Sequence, residues 1–172
     1  MSNQRAIVVY FSISGQTIGP NMTIVNQEKG NTQIVAEYIA EATGADLFRL
    51  EMVQSYPEDH MDLIRFAQRE QRLGKRPELV GLPTDWDAYD TVYLGYPNWW
   101  GSLPMPVVTF LEAMDWSGKT LRPFCTSEGS GLSGTVRQIK RIARKAKVGN
   151  ALSITGSQAA GSREKVSSWA ME

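Results

Sequence analysis

Short apolar segments alternate with amphipathic segments along the chain. Five apolar runs predict strands that are buried on both faces, at residues 6–11, 46–50, 90–96, 119–126 and 151–154. Between them, apolar positions recur at helical spacing and predict helices over residues 32–42, 58–73, 104–114, 136–146 and 163–171. This alternation is typical of an α/β protein with a parallel sheet.

The predicted sheet is doubly wound, with helices on both faces. At 172 residues the chain is long enough to bury a sizeable core, and we expect one domain spanning residues 1–172. Gly44 supplies the stop of the first helix, and Met61, Ile64 and Phe66 are expected to form the apolar face of the second. Ligands of such sheets bind beyond the carboxyl ends of the strands, so the turns that follow the strands are the candidate ligand-binding segments.

Composition excludes several classes of function. Lys plus Arg and Asp plus Glu balance at 18 each, which gives no reason to expect nucleic acid or an anionic membrane as a partner. One cysteine and one histidine leave no cluster for a zinc site and no Ser-His-Asp triad. The first residues lead into the first strand without an apolar segment long enough for a signal peptide, so the expected location is the cytoplasm.

The turn after the third predicted strand places two adjacent tryptophans beside a glycine, in the segment YPNWWG at residues 96–101. Two large aromatic side chains in one turn cannot both point into a core, and a glycine lets a ligand approach the backbone. The segment is therefore a candidate platform for a planar heteroaromatic cofactor. The alternative is that the tryptophans plug the loop against the sheet or form a dimer contact.

A candidate phosphate site is split between two segments. Ser12 follows the first strand in a loop of small hydroxyl residues, but helix-breaking residues at 18–21 prevent a helix from starting there. The segment GNT at residues 30–32 directly precedes the first helix, whose free amides can bind an anion. We expect both segments to hold a phosphate, with residues 15–28 looping out between them. The alternative for the helix start is that the asparagine or threonine only caps the helix. The alternative for the insertion is an ordinary surface loop.

The turn after the fourth predicted strand, TSEGSG at residues 126–131, offers backbone amides and small side chains that can hydrogen-bond the edge of a ring. The alternative is a flexible turn and helix cap. Three suitable turns at strand ends favour one shared site over coincidence.

Four other features carry less weight. Cys125 adjoins the expected ring site and is interpreted as a small buried strand residue rather than a redox thiol. Tyr96 and Glu128 are the candidate proton donors near the site, while His60 receives no role. The cations within residues 137–147 predict a solvated helix face, with a nicotinamide dinucleotide phosphate or an acidic protein as alternative occupants.

The ordered set of turns resembles the flavodoxin-like family, and in particular its branch with a Trp-Trp-Gly turn and a phosphate loop split by an insertion. The resemblance implies a five-stranded parallel sheet in the order 2-1-3-4-5 within three α/β/α layers, and it implies non-covalent FMN. We expect no catalytic residue, and the composition already argues against a metal site. The implied FMN-binding residues are Ser12, Gly30, Asn31 and Thr32 at the phosphate, and Pro97, Asn98, Trp99, Trp100, Gly101, Ser127, Glu128, Gly129, Ser130 and Gly131 at the isoalloxazine.

The function that the resemblance implies is a carrier that passes single electrons between redox partner proteins. The alternative on the same fold is an enzyme that uses FMN to move a hydride from NAD(P)H to a quinone-type acceptor. The carrier is favoured because the chain has no separate Gly-x-Gly-x-x-Gly nicotinamide fingerprint. The balanced charge departs from the acidic family carriers, and the insertion at residues 15–29 can cover the phosphate or the ring, so the enzyme stays open as an alternative.

Overall fold

The computed structural model describes residues 5–172, apart from the side chain of Ile18. Residues 1–4, which enter the argument against a signal peptide, lie outside the described part. The strands are β1 (Arg5–Tyr10), β2 (Gly15–Ile18), β3 (Ile24–Gln27), β4 (Asp46–Arg49), β5 (Tyr89–Pro97), β6 (Thr120–Ser127), β7 (Lys147–Val148) and β8 (Leu152–Thr155). The helices are α1 (Asn31–Thr43), α2 (His60–Leu73), α3 (Met105–Ala113), α4 (Thr135–Ile142) and α5 (Arg163–Ala170).

The main sheet is parallel and runs β4-β1-β5-β6, with β7 and β8 both paired to β6. In the numbering of the five predicted strands this is the order 2-1-3-4-5, as expected. The last position of the sheet is divided between two short strands. Lys147 pairs with Thr120 at the beginning of β6, and Leu152 pairs with Phe124 nearer its end. The sequence pattern predicted only the second of these strands.

The sheet is buried on both faces, as continuous apolar strands require. On one face, Val8 and Tyr10 of β1 pack in a core that includes Val35 of α1 and Val166 of α5. On the other face, Ile7 and Val9 belong to a core with residues of α3 and α4. The result is a three-layer α/β/α arrangement. Among the described residues, no helix is both long enough and apolar enough to cross a membrane.

The inward face of α2 differs from the predicted one. Leu63 and Ala67 are buried, and the buried residues one turn before and after them are polar, His60 and Glu70. Met61, predicted to be on the apolar face, is 48 % exposed. Ile64 and Phe66 are half-buried, so the prediction was wrong for Met61 alone, because polar residues complete the buried face of the helix.

The insertion between β1 and α1 is a hairpin rather than an irregular loop. β2 and β3 pair in antiparallel register, with Gly15 opposite Gln27, and a 3₁₀ turn at Pro20–Met22 joins them. The two strands form a sheet of their own that pairs with no other described strand. The helix-breaking residues at 18–21 therefore mark the tip of a hairpin.

Candidate functional site

The turns after β1, β5 and β6 and the beginning of α1 border one cleft at the carboxyl edge of the sheet. The cleft encloses about 350 Å³, and about 1170 Å³ when its open mouth is counted, a size suited to a small-molecule ligand. The predicted residues on its wall are Ser12, Asn31, Thr32, Pro97, Asn98, Trp99, Trp100, Ser127, Glu128 and Ser130. The cleft wall does not include the predicted glycines Gly30, Gly101, Gly129 and Gly131.

The segments of the split phosphate site meet at the beginning of α1. The hydroxyl oxygen of Ser12 accepts a hydrogen bond of 3.2 Å from the main-chain N–H of Gln33, so the hydroxyl hydrogen is free to donate. The first-turn amides of Asn31 and Thr32 have no intrahelical acceptor, as at any helix N-terminus. Ser12 and these two amides therefore present neutral donors to an anion in the cleft.

Gly30 is the N-cap of α1, so the alternative that Asn31 or Thr32 merely caps the helix is wrong. The Asn31 side chain accepts a hydrogen bond from Gln27, and the Thr32 hydroxyl shares one of 2.8 Å with the Thr126 hydroxyl. A Cβ at Gly30 would lie 2.2 Å from both the hydroxyl oxygen of Ser12 and the Ile13 carbonyl oxygen. Only glycine permits the two segments to come this close.

The Trp-Trp-Gly segment is a tight two-residue turn. The main chains of Trp99 and Ser102 exchange two hydrogen bonds, of 3.1 and 3.0 Å. Trp100 and Gly101 between them have φ angles of 55° and 71°, as a type I′ turn requires. A tryptophan in this left-handed region is uncommon, because its Cβ crowds the backbone.

The two tryptophans have different surroundings. Trp99 is half-buried and packs edge-on against Phe11 and Tyr56, with ring centroids 5.2 and 5.3 Å apart. Trp100 is 55 % exposed on the cleft wall, and its indole N–H donates a long hydrogen bond of 3.4 Å to the Ile64 carbonyl. Trp99 thus plugs the loop against the sheet, as one alternative for the pair predicted, while Trp100 has a surface available to a ligand.

The loop after β6 is cross-linked to the Trp-Trp-Gly turn through Asn98. The Asn98 amide nitrogen donates to the Gly131 carbonyl and to the Ser133 hydroxyl, at 2.8 and 2.9 Å. Its side-chain oxygen is buried and has no partner among the described residues. Ser127 accepts a hydrogen bond from the Gly131 N–H, which stabilises the loop itself. The Trp-Trp-Gly turn and the loop after β6 are therefore held together, with an unpaired, buried acceptor at their junction.

The candidate proton donors do not both reach the cleft. Tyr96 is fully buried below it and donates to Thr135, and burial raises the pKa of the Tyr96 hydroxyl. Glu128 lies on the wall, where its carboxylate accepts hydrogen bonds from the N–H and hydroxyl of Ser157. Tyr96 is thus excluded as a proton donor to a ligand in the cleft.

Cys125 is fully buried in β6, as its interpretation as a strand residue predicted. Burial raises the pKa of its thiol to about 12, so the thiolate is scarce at neutral pH. The cations within residues 137–147 are exposed, as a solvated face requires.

The sequence pattern did not predict a second wall of the cleft, built from α2 and the hairpin. Its residues are Gln16, Thr17, Met22, His60, Leu63, Ile64 and Ala67. The Gln16 side-chain oxygen accepts a hydrogen bond of 2.9 Å from the His60 main-chain N–H. The interpretation of the insertion as a surface loop apart from the site is therefore wrong. The one feature of the sequence that linked the insertion to the site was its position between the two segments of the candidate phosphate site.

Arg49 is a further residue that the sequence did not indicate. Its guanidinium donates to the Ser12 carbonyl and to the Gln33 side-chain oxygen, both at 3.0 Å. It places a positive charge behind the Ser12 turn. The wall of the cleft carries one formal charge among its described residues, the carboxylate of Glu128.

Comparison with known proteins gives a family and a set of similar folds. The flavodoxin family matches residues 23–172. A comparison of the sequence with curated proteins gives no match. The solved structures described next share less than 25 % sequence identity with this chain, so their similarity establishes the fold alone.

Three solved structures are similar over nearly the whole chain. A candidate flavoprotein from Bacteroides eggerthii is 24 % identical with a TM-score of 0.77, covering 97 % of this chain and 96 % of that one. A flavoprotein from Lactobacillus acidophilus in complex with FMN is 18 % identical with a TM-score of 0.68, covering 95 % and 99 %. Oxidised flavodoxin 2 from Bacillus cereus is 19 % identical with a TM-score of 0.56, covering 97 % and 95 %.

Proposed function

Because the chain belongs to the flavodoxin family, we propose that it binds FMN without a covalent bond and carries electrons between redox partner proteins. The observation that carries the proposal is the convergence of three strand-end turns and the α1 N-terminus on one cleft. The Lactobacillus acidophilus neighbour in complex with FMN supports the choice of cofactor. The Trp-Trp-Gly branch within the family and the cytoplasmic location stay predictions.

The phosphate end of FMN fits the beginning of α1. Ser12 has a hydroxyl hydrogen to donate, and the first amides of the helix carry partial positive charge. Arg49 adds a cation behind the turn without entering the cleft. These residues would hold a dianionic phosphate by neutral donors supported from behind by one positive charge.

The ring end of FMN fits the wall formed by Asn98, Trp100 and the loop after β6. Ser127 and Ser130 of that loop lie on the cleft wall and would offer polar groups to the edge of the ring. Trp100 offers an exposed indole for packing against a planar ring. When bound, FMN supplies reversible electron transfer, and the residues of the chain orient the ring and shield it from water.

The charge of the cleft favours a carrier over an NAD(P)H-dependent enzyme. A dinucleotide brings additional phosphates, and the described residues of the cleft wall include no lysine or arginine to meet them. Glu128 would repel such phosphates. We therefore propose partner proteins as electron donor and acceptor, with direct reduction by NAD(P)H as the second candidate.

The first test compares FMN with riboflavin, which lacks the phosphate, by titrating the apo-protein and following flavin fluorescence. Tight FMN binding with much weaker riboflavin binding is expected. Equal affinities would contradict the phosphate site, and no binding of either flavin would contradict the proposed function.

The second test separates carrier from enzyme. The FMN-loaded protein is titrated anaerobically with NADPH, and dithionite in a parallel sample defines full reduction. A carrier stays oxidised with NADPH and is reduced by dithionite. Rapid loss of the flavin absorbance with NADPH alone would contradict the carrier and support the reductase.

A further inference from the structure

A second cavity lies outside the cofactor cleft, against a different face of α2. It encloses about 600 Å³ between that face and the chain segments at residues 52–54 and 75–78, and we name it the Glu70 cavity. The Val53 N–H donates a hydrogen bond of 2.9 Å to the Glu78 carbonyl. The two segments therefore form one continuous wall opposite the helix.

The Glu70 cavity is separated from the cofactor turn by an aromatic side chain. The ring of Tyr56 packs edge-on against Phe66 of the cavity wall and against Trp99 of the Trp-Trp-Gly turn, with centroids 5.4 and 5.3 Å apart. A ligand in this cavity would therefore bind apart from the proposed cofactor.

Glu70 is the buried acid of the cavity. The residue is 8 % exposed, and the Tyr56 hydroxyl donates a hydrogen bond to one oxygen of its carboxyl. The other oxygen has no donor among the described residues. Burial raises the pKa of this carboxyl, and no cation of the described chain offsets the rise. Acids this deeply buried are usually paired with an opposite charge, so the missing partner calls for an explanation.

Two cations at the rim of the cavity also lack an opposite charge. Arg69 and Lys75 are exposed on its wall, and within the described chain neither forms an ion pair. Arg76, by contrast, is paired with Glu112. The cavity therefore has an acid at its buried end and two unpaired cations at its open end.

This separation of charges limits the class of ligand that suits the cavity. An anion alone would approach the Glu70 carboxylate, and a cation alone would approach the rim cations. A molecule that carries an amine and a carboxylate can meet both ends, and its ammonium group would favour the ionised form of Glu70. The apolar side chains of Met52, Phe66 and Leu73 would contact the carbon skeleton between the two charges.

We propose that the Glu70 cavity binds a small amino acid, whose ammonium group pairs with Glu70 and whose carboxylate pairs with Arg69 and Lys75. The site does not depend on the cofactor, because none of these three residues lies on the wall of the cofactor cleft.

The test is calorimetric titration of the full chain, in apo and FMN-loaded forms. The probes are L-leucine, 4-aminobutanoate and 6-aminohexanoate, which place the amine and the carboxylate at different separations. Each is compared with the acid that lacks its amine and with the amine that lacks its carboxylate. At least one amino acid is expected to bind more tightly than both of its comparison compounds. If none does, the proposal is overturned.

The substitution Glu70→Gln tests the buried end of the site. It keeps an acceptor for Tyr56 but removes the charge, and it is expected to weaken binding of the preferred amino acid by about 10- to 100-fold. Glu58→Gln, at an exposed position off the cavity wall, is the matched control. Unchanged affinity in Glu70→Gln would overturn the proposal.

The rim is tested separately, so that a folding defect in Glu70→Gln does not prevent a decision. Arg69→Met and Lys75→Met are each expected to weaken binding by about 2- to 5-fold, because exposed ion pairs contribute little. Arg72→Met, at an exposed position of α2 off the cavity wall, should leave the affinity unchanged. If both rim variants behave like Arg72→Met, the proposed carboxylate contacts are wrong.

Discussion

The side-chain amide of Gln71 donates a hydrogen bond of 2.7 Å to the main-chain carbonyl of Trp99. This bond connects α2 to the Trp-Trp-Gly turn, which also contacts α2 through Trp100 and Ile64. The position of the turn therefore depends on a helix that the family motifs do not include.

The near-isosteric substitution Gln71→Met should release the turn. Loss of this hydrogen bond leaves the Trp99 carbonyl with the Ser102 N–H as its one remaining donor, and it is expected to lower the free energy of unfolding of the apo-protein by about 1 kcal/mol. FMN affinity should fall as well, because the turn loses its fixed orientation. Urea denaturation and flavin titration measure the two effects. Gln68→Met, at an exposed position of α2, is the control, and equal behaviour of the two variants would refute the link.

Ser12→Ala tests the phosphate end of the site. It removes a hydroxyl that accepts from Gln33 and is free to donate to an anion. A hydrogen bond to a charged group contributes about 1.5–3 kcal/mol, so FMN affinity is expected to fall by about 10- to 100-fold while riboflavin affinity changes little. Ser14→Ala, in the same loop but exposed and off the cleft wall, should leave both affinities unchanged. A parallel loss for both flavins would place Ser12 away from the phosphate.

Trp100→Asn separates stability from cofactor binding. Asparagine followed by glycine suits a type I′ turn, so removing the left-handed tryptophan is expected to stabilise the apo-protein by about 0.5–1 kcal/mol. Loss of ring packing should weaken FMN binding by about 2- to 10-fold.

The measurements for Trp100→Asn are urea denaturation of the apo-protein and FMN titration. Asp85→Asn is the control, because Asp85 also has a left-handed φ of 55° but lies off the cleft wall. Lower stability combined with unchanged FMN affinity in Trp100→Asn would mean that Trp100 packs against the protein rather than the ring.

Glu70 should make stability depend on pH. Burial raises the pKa of its carboxyl, and a hydrogen bond from Tyr56 offsets part of that rise. The carboxyl of Glu70 therefore keeps its proton to a higher pH in the folded protein than in the unfolded chain, where glutamates titrate at about pH 4.3. The contribution of Glu70 to stability is fully present below that value and is lost as pH rises through the folded-state pKa.

The substitution Glu70→Gln removes this contribution. Urea denaturation between about pH 4 and pH 8 should show the variant gaining stability relative to the wild type as pH rises. Glu78→Gln, at an exposed position, should follow the wild-type curve. A difference between Glu70→Gln and the wild type that does not vary with pH would contradict the assignment.

The main sheet was predictable because its strands are continuous apolar runs that end at distinctive turns. Ser12 and the segment at residues 30–32 were found from the chemistry of a strand end and a helix start. The division of roles between Trp99 and Trp100 was not predictable, because two adjacent tryptophans look alike until packing against Phe11 and Tyr56 selects one of them.

The second wall of the cleft was not predictable from the sequence, for a different reason. His60 is distant in sequence from every turn that carries a motif, and only the packing of α2 brings it to the cleft. Gln16 was hidden in a segment whose short strands pair only with each other. Local patterns identify elements, whereas the contacts between Gln16 and His60 depend on tertiary structure.

The hairpin also has a consequence for how this protein can diversify. Gly15 and Gln27 are paired neighbours, so the chain leaves the main sheet and returns to nearly the same point. The segment between them can therefore differ in length or sequence without a change in the main sheet. A different hairpin length or tip sequence would alter what the open side of the cleft admits, while β1, Ser12 and the beginning of α1 keep their positions.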